Sequence, residues 1–442
     1  MTSPNPEGRP PEPPQLVEHF FRHESAILVS VLTRAFGVHS LDLVEDAVQE
    51  ALLAAVQAWS RRGVPDNPAG WIYRVARNRI LDTIRRQKIH QRVTAQLNSV
   101  EAFESRVEEW LQEERLPDSL LRMMFVCCHP TLDRRSQIAL TLKILCGFSV
   151  AEVARALLIS REAAKKRVQR AKKTLAATQI QLELPSSGEL PARLEAVHDV
   201  LYLLFNEGYS STLGHEPLRD DLCEEAARLS HMLCEYSGLS TPESRALLAL
   251  MLAHAARLEA RVDSGGNVVL LEDQDRSRWD RPLIHHAQQW FERSKTDPPS
   301  RFHLEAGIAL THSLATNIDD TDWQLIVQLY DRLIALHDSP VYILNRAVAR
   351  AELGDVELGL AELMSIRNHS QMRHYILLDC AIGRLHERAG NPDAAATAYT
   401  AARSAATAPH EQALLDRKLA RLTAEAPAIC SVAARAVQGE KI

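Results

Sequence analysis

"GFSVAEVARALLISREAAKKRVQRAKKTL" (Gly147–Leu175) decides how the first half of this chain is built. Ser149 and Glu152 stand at capping-box spacing, and Val150, Val153, Ala154 and Leu157 follow at i, i+3, i+4 and i+7, which predicts a short capped helix. After a tight connection at Leu158–Ser160, Ala164, Val168, Ala171 and Leu175 recur as one narrow apolar stripe, with Ser160 in the N-cap position. Seven Lys or Arg and one Glu fill the rest of that second helix. Upstream, "RRSQIALTLKILCG" (Arg134–Gly147) reads as another amphipathic helix, closed by Gly147. A short helix, a turn and a basic helix make a helix-turn-helix, whose second helix enters the major groove. On its own the basic helix also fits a solvated surface; the capped helix before it favours the groove reader. Arg161, Lys165, Lys166 and Gln169 lie on its N-terminal half, where Arg and Lys suit guanine and Gln suits adenine. Arg167, Arg170, Lys172 and Lys173 are better placed on phosphates. Leu158 stands where such turns usually have Gly, and a left-handed conformation there would be strained.

The local charge of this helix opposes that of the whole chain. The 442 residues carry −6, but residues 1–180 sum to +6 and residues 181–442 to −12. The front suits a polyanion and the back another task. Ala and Leu dominate and aromatics are 5%, which favours helices over strands. No apolar run is long enough to span a bilayer, and the Pro-rich start, residues 1–14, reads as a disordered tail rather than a signal peptide. Seven Cys with no CxxC pair argue against a zinc or disulfide framework and fit a reducing cytoplasm. Cys127 and Cys128, in "RMMFVCCHP", read as core.

A second helical unit precedes the first. "SLDLVEDAVQEALLAAVQAW" (Ser40–Trp59) puts Val44, Ala47, Val48, Ala51, Leu52, Ala55, Val56 and Trp59 on one face, and Asp42, Asp46, Gln49 and Glu50 on another. After the Pro- and Gly-containing loop 63–70, "WIYRVARNRILDTIRRQK" carries Ile72, Val75, Ala76, Ile80 and Ile84 as its stripe. Arg74, Arg77, Arg79, Arg85, Arg86 and Lys88 surround it, with Trp71 and Tyr73 at its start. Aromatics beside clustered Arg suit single-stranded nucleic acid, where bases stack and phosphates meet cations.

Together, "DLVEDAVQEALLAAVQAW", "GWIYRVARNRILDTIRR" and the helix-turn-helix resemble the bacterial sigma-70 RNA polymerase sigma factors of the extracytoplasmic-function (ECF) group, over about residues 15–180. The resemblance implies that Asp46, Gln49 and Glu50 meet the clamp of core RNA polymerase. It also implies that Trp71, Arg74, Arg77, Asn78, Arg85 and Arg86 melt and read a −10 element, with the loop 63–70 holding a flipped base. Arg161, Lys165, Lys166, Arg167, Gln169, Arg170 and Lys173 would engage a −35 element of promoter DNA. Ala163–Ala164 replaces a more usual Thr–Val pair.

The expected organisation is all-α: a sigma region 2 over 15–92, an acidic linker over 93–114, a region 4 helix-turn-helix over 115–180, and a helical domain over 190–425. In that last part Gly354 and Gly390 lie 36 residues apart, with small residues at +5 (Gly359, Ala395) and large ones at +9 (Leu363, Tyr399), the pattern of tetratricopeptide (TPR)-like helix pairs. "WQLIVQLYDRLIALHDS" reads as the second helix of an earlier pair. Stacked pairs leave a concave face for a protein or peptide partner. "LYLLFNEGYSST" (Leu201–Thr212) reads as a helix ending in a polar Asn-Glu-Gly turn, and "NVVLLEDQDRSRWDRPLI" (Asn267–Ile284) clusters Glu272, Asp273, Asp275, Arg276, Arg278, Asp280 and Arg281 around Trp279. These two stretches resemble the C-terminal extension of one ECF subgroup, implying regulation within the chain. By itself the charged cluster fits an ion-pair lattice joining helices, or a catalytic or ligand site.

No catalytic residues, cofactor or metal site is expected; His254, His285 and His286 lack a ligand motif. A second reading remains, a helix-turn-helix regulator with a TPR-type sensor that binds duplex DNA without polymerase. An enzyme built on the 272–281 cluster is a third.

Overall fold

The computed structural model describes residues 13–90, 116–157, 159–178, 180–209, 220–263, 269–373, 375–406 and 411–423. The linker 93–114 and Leu158 lie outside the described residues. The architecture is helical, as the patterning predicts, and the chain forms two compact units, Met1–Leu204 and Phe205–Ile442.

The first unit begins with α1 (Pro13–Phe36), α2 (Leu41–Arg62) and α3 (Pro68–His90). Gly37, at φ 86°, allows the chain to turn between α1 and the 3-10 turn Val38–Ser40. Leu28, Leu32, Val44, Val48, Ile72 and Ile80 are fully buried between the helices. Asn67 caps α3, its Oδ1 accepting from Gly70 N at 2.8 Å, with Pro68 just inside the helix, where a missing N–H costs nothing.

Then follow α4 (Leu116–Cys127), α5 (Arg134–Ile144), α6 (Val150–Ala156) and α7 (Arg161–Ala177). Each of the last three has a side-chain N-cap. Asp133 accepts from Ser136 N at 3.0 Å, Ser149 from Glu152 N at 3.2 Å, and Ser160 from Ala163 N at 3.2 Å. Glu152 returns a bond to Ser149 N at 2.7 Å, completing the capping box. Gly147, at φ 67°, lets the chain reverse after α5, with Phe148 N donating to Leu142 O at 3.0 Å. Cys127 and Cys128 are core residues, and burial pushes the Cys128 thiol up to about 12.

α8 (Leu190–Tyr209) runs straight through Asn206, Glu207 and Gly208. The polar triplet is therefore helix and not the turn read from its composition. Those residues carry no φ demand, and the apolar stripe Leu201, Leu204, Phe205 continues beside them.

In the second unit, α9 (Asp220–Glu235), α10 (Pro242–Ala255), α11 (Arg281–Glu292) and α12 (Arg301–Leu314) pack first, α10 lying against α9, α11 and α12. α13 (Trp323–Leu336), α14 (Pro340–Glu352), α15 (Val356–Ile366), α16 (Ile376–Arg388), α17 (Pro392–Ala405) and α18 (411–423) continue as helix pairs. The pairing residues behave as the repeat pattern predicts. Gly354 and Gly390 take φ 97° and 71° in the tight turns, and Leu363, Ala395 and Tyr399 are fully buried. Gly359 lies where helices touch: a Cβ there would sit 2.7 Å from Ala347 O.

Candidate nucleic-acid interface

Helix α7 divides cleanly. Ala164, Val168, Ala171 and Leu175 are buried, while Arg161, Lys165, Lys166, Gln169, Arg170 and Lys173 are exposed. Arg167 is half-buried, close enough to Asp133 to help lower its carboxyl pKa, after the larger effect of the Ser136 hydrogen bond. Lys166 sits 3.7 Å from Glu162 one turn back, a weak exposed pair that leaves the ammonium free to exchange partners.

Lys172 does not belong with the phosphate contacts. It is 9% exposed and lies between Glu45, with which it pairs closely, and Asp42 at 2.8 Å. Lys143 of α5 reaches the same Glu45 at 2.7 Å. Burial alone would lower the Lys172 pKa, but Glu45 and Asp42 reverse this and raise it. A basic residue one position off the apolar stripe reads as solvent-facing from spacing alone; only the position of α2 shows that it is buried.

On α2, Asp46, Gln49 and Glu50 are exposed and share a face at i, i+3 and i+4. Burial raises the Asp46 pKa; Lys172 opposes this, and Glu45, Asp42 and Glu50 add to it. Gln49 donates to Glu45 at 3.1 Å, and Glu50 pairs with Arg79 of α3. Val56, expected on the core face, is instead 53% exposed, and Leu53 is 65% exposed. These two continue the Asp46–Gln49–Glu50 strip by further turns. The seven-residue step from Asp46 to Leu53 was the signal in the sequence, hidden because Leu and Val count as core in an apolar tally.

On α3, Arg74, Asn78, Arg85 and Arg86 are exposed and Arg77 is half-buried. Asn78 Oδ1 accepts from Arg77 at 3.5 Å, and Arg85 meets Asp82 at 3.4 Å. Tyr73 is 6% exposed and cannot stack on a base. Trp71 is half-buried and packs edge-on against Trp59, ring centroids 5.7 Å apart. The start of α3 thus offers one accessible aromatic where two are expected, because Tyr73 falls beside Ile72 on the inward side of the helix.

The 272–281 cluster is tied to other helices through Glu272, as the reading of an ion-pair lattice joining helices expects. Glu272 reaches Arg384 at 2.5 Å and Lys418 at 3.4 Å, while Asp275 and Asp280 accept from Ser277 N and Leu283 N as helix caps. Arg276 and Trp279 of the cluster are buried.

Residues 20–89 match the model of Sigma-70 region 2, residues 122–175 that of Sigma-70, region 4, and residues 193–295 a family of unknown function, DUF6596. An uncharacterised protein of Rhizobium meliloti (strain 1021) is 38% identical over 406 residues, covering 90% of this chain and 95% of that one. No solved structure matches the chain.

Proposed function

The chain belongs to the sigma-70 family as an ECF-like sigma factor with a C-terminal extension, and on that premise we propose how it starts transcription. Its regions 2 and 4 are those of promoter-recognising factors. The acidic strip Asp46, Gln49, Glu50, extended by Leu53 and Val56, binds the clamp of core RNA polymerase. Apolar side chains rimmed by carboxylates suit a basic, partly apolar partner helix.

Trp71, Arg74, Arg77, Asn78, Arg85 and Arg86 hold the opened −10 strand: Trp71 stacks, and the guanidinium groups meet phosphates. Arg161, Lys165, Lys166, Arg167, Gln169, Arg170 and Lys173 place α7 in the major groove of the −35 element. The chemistry is the polymerase's, so the factor itself is no enzyme and acts in the cytoplasm. The acidic helical extension regulates it, with the concave side of the helix pairs taking a protein or peptide.

The observation that carries this reading is the split of α7 into a fully buried stripe and an exposed basic face behind a capped short helix. The test is run-off transcription with core polymerase and the full-length protein on candidate promoters. A defined start site that requires the protein supports the reading. Duplex binding without any transcript points instead to a helix-turn-helix regulator.

A further inference from the structure

Two arginines lie inside the second unit without a carboxylate partner among the described residues. Arg257, just after α10, is 6% exposed, and Arg276, in the 3-10 turn Arg276–Arg278, is 8% exposed. Arg257 Nη2 donates to Tyr209 Oη at 2.8 Å and lies 2.7 Å from His254 Nδ1. Arg276 Nη1 donates to the backbone oxygens of His312 at 2.8 Å and Ala315 at 2.7 Å, at the end of α12. None of these acceptors carries a full charge. Among the described residues, no Asp or Glu pairs with either guanidinium. Asp320, whose charge is felt at Arg276, is occupied by Thr316 and Asn317 at 2.6 Å each.

Both guanidinium groups lie against the ring of Trp279, Arg257 with its Cζ 5.7 Å and Arg276 4.7 Å from the centroid. Trp279 is itself 2% exposed. Among the described residues, four buried nitrogens of this group have no hydrogen-bond partner: Arg257 Nε, Arg276 Nη2, Trp279 Nε1 and, on the residue whose carbonyl holds Arg276, His312 Nδ1. A cation–π contact offsets part of a buried charge, but one indole does not neutralise two. Buried charges are paired, and buried donors are satisfied, in nearly all folded proteins. Here, among the described residues, two buried cations lack a charged partner and three N–H donors, Arg257 Nε, Arg276 Nη2 and Trp279 Nε1, lack an acceptor, so what they call for is negative charge and acceptor oxygens. A phosphate or carboxylate group has both, and arginine forks match its geometry.

We propose that Arg257, Arg276 and Trp279, with His312 beside them, form a binding site for a small oxyanion, the phosphate or carboxylate group of a metabolite, inside the C-terminal extension. Four pieces of chain converge there: the end of α8 at Tyr209, the end of α10, the "DRSRW" segment and the end of α12. An anion at their meeting point ties them together. It gives the extension a chemical input separate from any protein partner on its helix pairs.

The test is thermal unfolding of the full-length protein in increasing inorganic phosphate or acetate, each against chloride at matched ionic strength. The midpoint should rise with the logarithm of the binding anion's concentration, and the arm that responds names the group, phosphate or carboxylate. Arg257→Gln and Arg276→Gln should each weaken the response at least about tenfold, and so should Trp279→Phe, which leaves a smaller aromatic ring and removes Nε1. Arg278→Gln, an exposed neighbour on the same turn, should keep it. Phosphate also stabilises proteins generally by exclusion from their surfaces. A rise shared equally by the Arg257 and Arg276 variants is that general effect and overturns the proposal. So does a flat wild-type response in both arms, which needs no variant to fold.

Discussion

Lys172 of α7 and Glu45 of α2, 127 residues apart in sequence, form a buried ion pair that fixes α7 against α2. Asp42 and Lys143 complete the group, at 2.8 Å from Lys172 and 2.7 Å from Glu45. With Lys172 held inward, Arg161, Lys165, Lys166, Arg170 and Lys173 of α7 face solvent.

Glu45→Gln should therefore be costly. It leaves the ammonium groups of Lys172 and Lys143 with only exposed anions, Asp42 and Asp46, and breaking a buried pair costs about 3–5 kcal/mol. The double change Glu45→Leu, Lys172→Leu should cost less than Glu45→Gln alone, since it leaves one fewer buried cation. Urea denaturation of the three proteins measures both. A single-variant loss under about 1 kcal/mol would show that the pair does not hold α7 to α2.

Leu53→Asp and Val56→Asp should leave folding intact, because both side chains are more than half exposed. Core polymerase binding should fall by about tenfold or more for each, the scale of a central apolar contact. A pull-down titration against core polymerase, with circular dichroism as the folding control, separates the two effects. Unchanged binding would remove this strip from the polymerase interface.

Lys166→Ala should weaken duplex binding by about 1–3 kcal/mol and relax base preference if the lysine reads guanine. If it meets only phosphate, the loss should be uniform across sequences, and the slope of log K against log salt should fall by about 1. Footprinting of the −35 element over a salt series distinguishes these outcomes, and an unchanged footprint rejects both.

Gly359→Ala should destabilise the helix pairs by about 1–3 kcal/mol, since the added carbon meets Ala347 O at 2.7 Å and Leu385 Cδ2 at 2.9 Å. The Leu385 methyl can shift, but the backbone oxygen cannot without moving α14 from α15. Gly188, with open space around it, is the matched control, and its alanine variant should be close to neutral.

The second unit should lose stability as pH falls below about 6.5. Burial, then Arg257 and Arg276, lowers the His312 pKa to about 3. Burial, with Arg257, Arg261 and His312, holds His254 well below its usual range. Folded imidazoles stay neutral where unfolded ones take a proton, so the unfolded state binds more protons between pH 6.5 and the folded value. Each histidine then costs about 1.4 kcal/mol per pH unit once the pH is well below 6.5. Urea midpoints at pH 7.5, 6.5 and 5.5 give the slope, and His312→Gln should flatten it.

Local rules carried far in the first half. Capping residues and apolar stripes are read from neighbours three or four positions away, so Ser149, Glu152, Ser160 and the Ala164–Leu175 stripe were legible before any coordinates. The helix-pair glycines were legible too, because tight turns and close helix approach admit little else at Gly354, Gly359 and Gly390. The misreadings have a common cause. Tyr73, Lys172, Val56 and the Asn206–Gly208 triplet read by residue type as stacking surface, phosphate contact, core and turn. Each assignment depends on what lies opposite.

The sequence by itself determined that the chain is helical, that its first half holds a capped helix-turn-helix beside an Arg-rich helix, and that its second half repeats in pairs. Those features rest on hydrogen bonds and periodicities within a few turns of chain. Only the tertiary structure decided that Lys172 faces Glu45 and that Leu53 and Val56 face solvent. It alone brought Arg257 and Arg276 against the ring of Trp279. Burial and charge pairing are set by helices distant in sequence, and no local pattern encodes which distant residue becomes the neighbour.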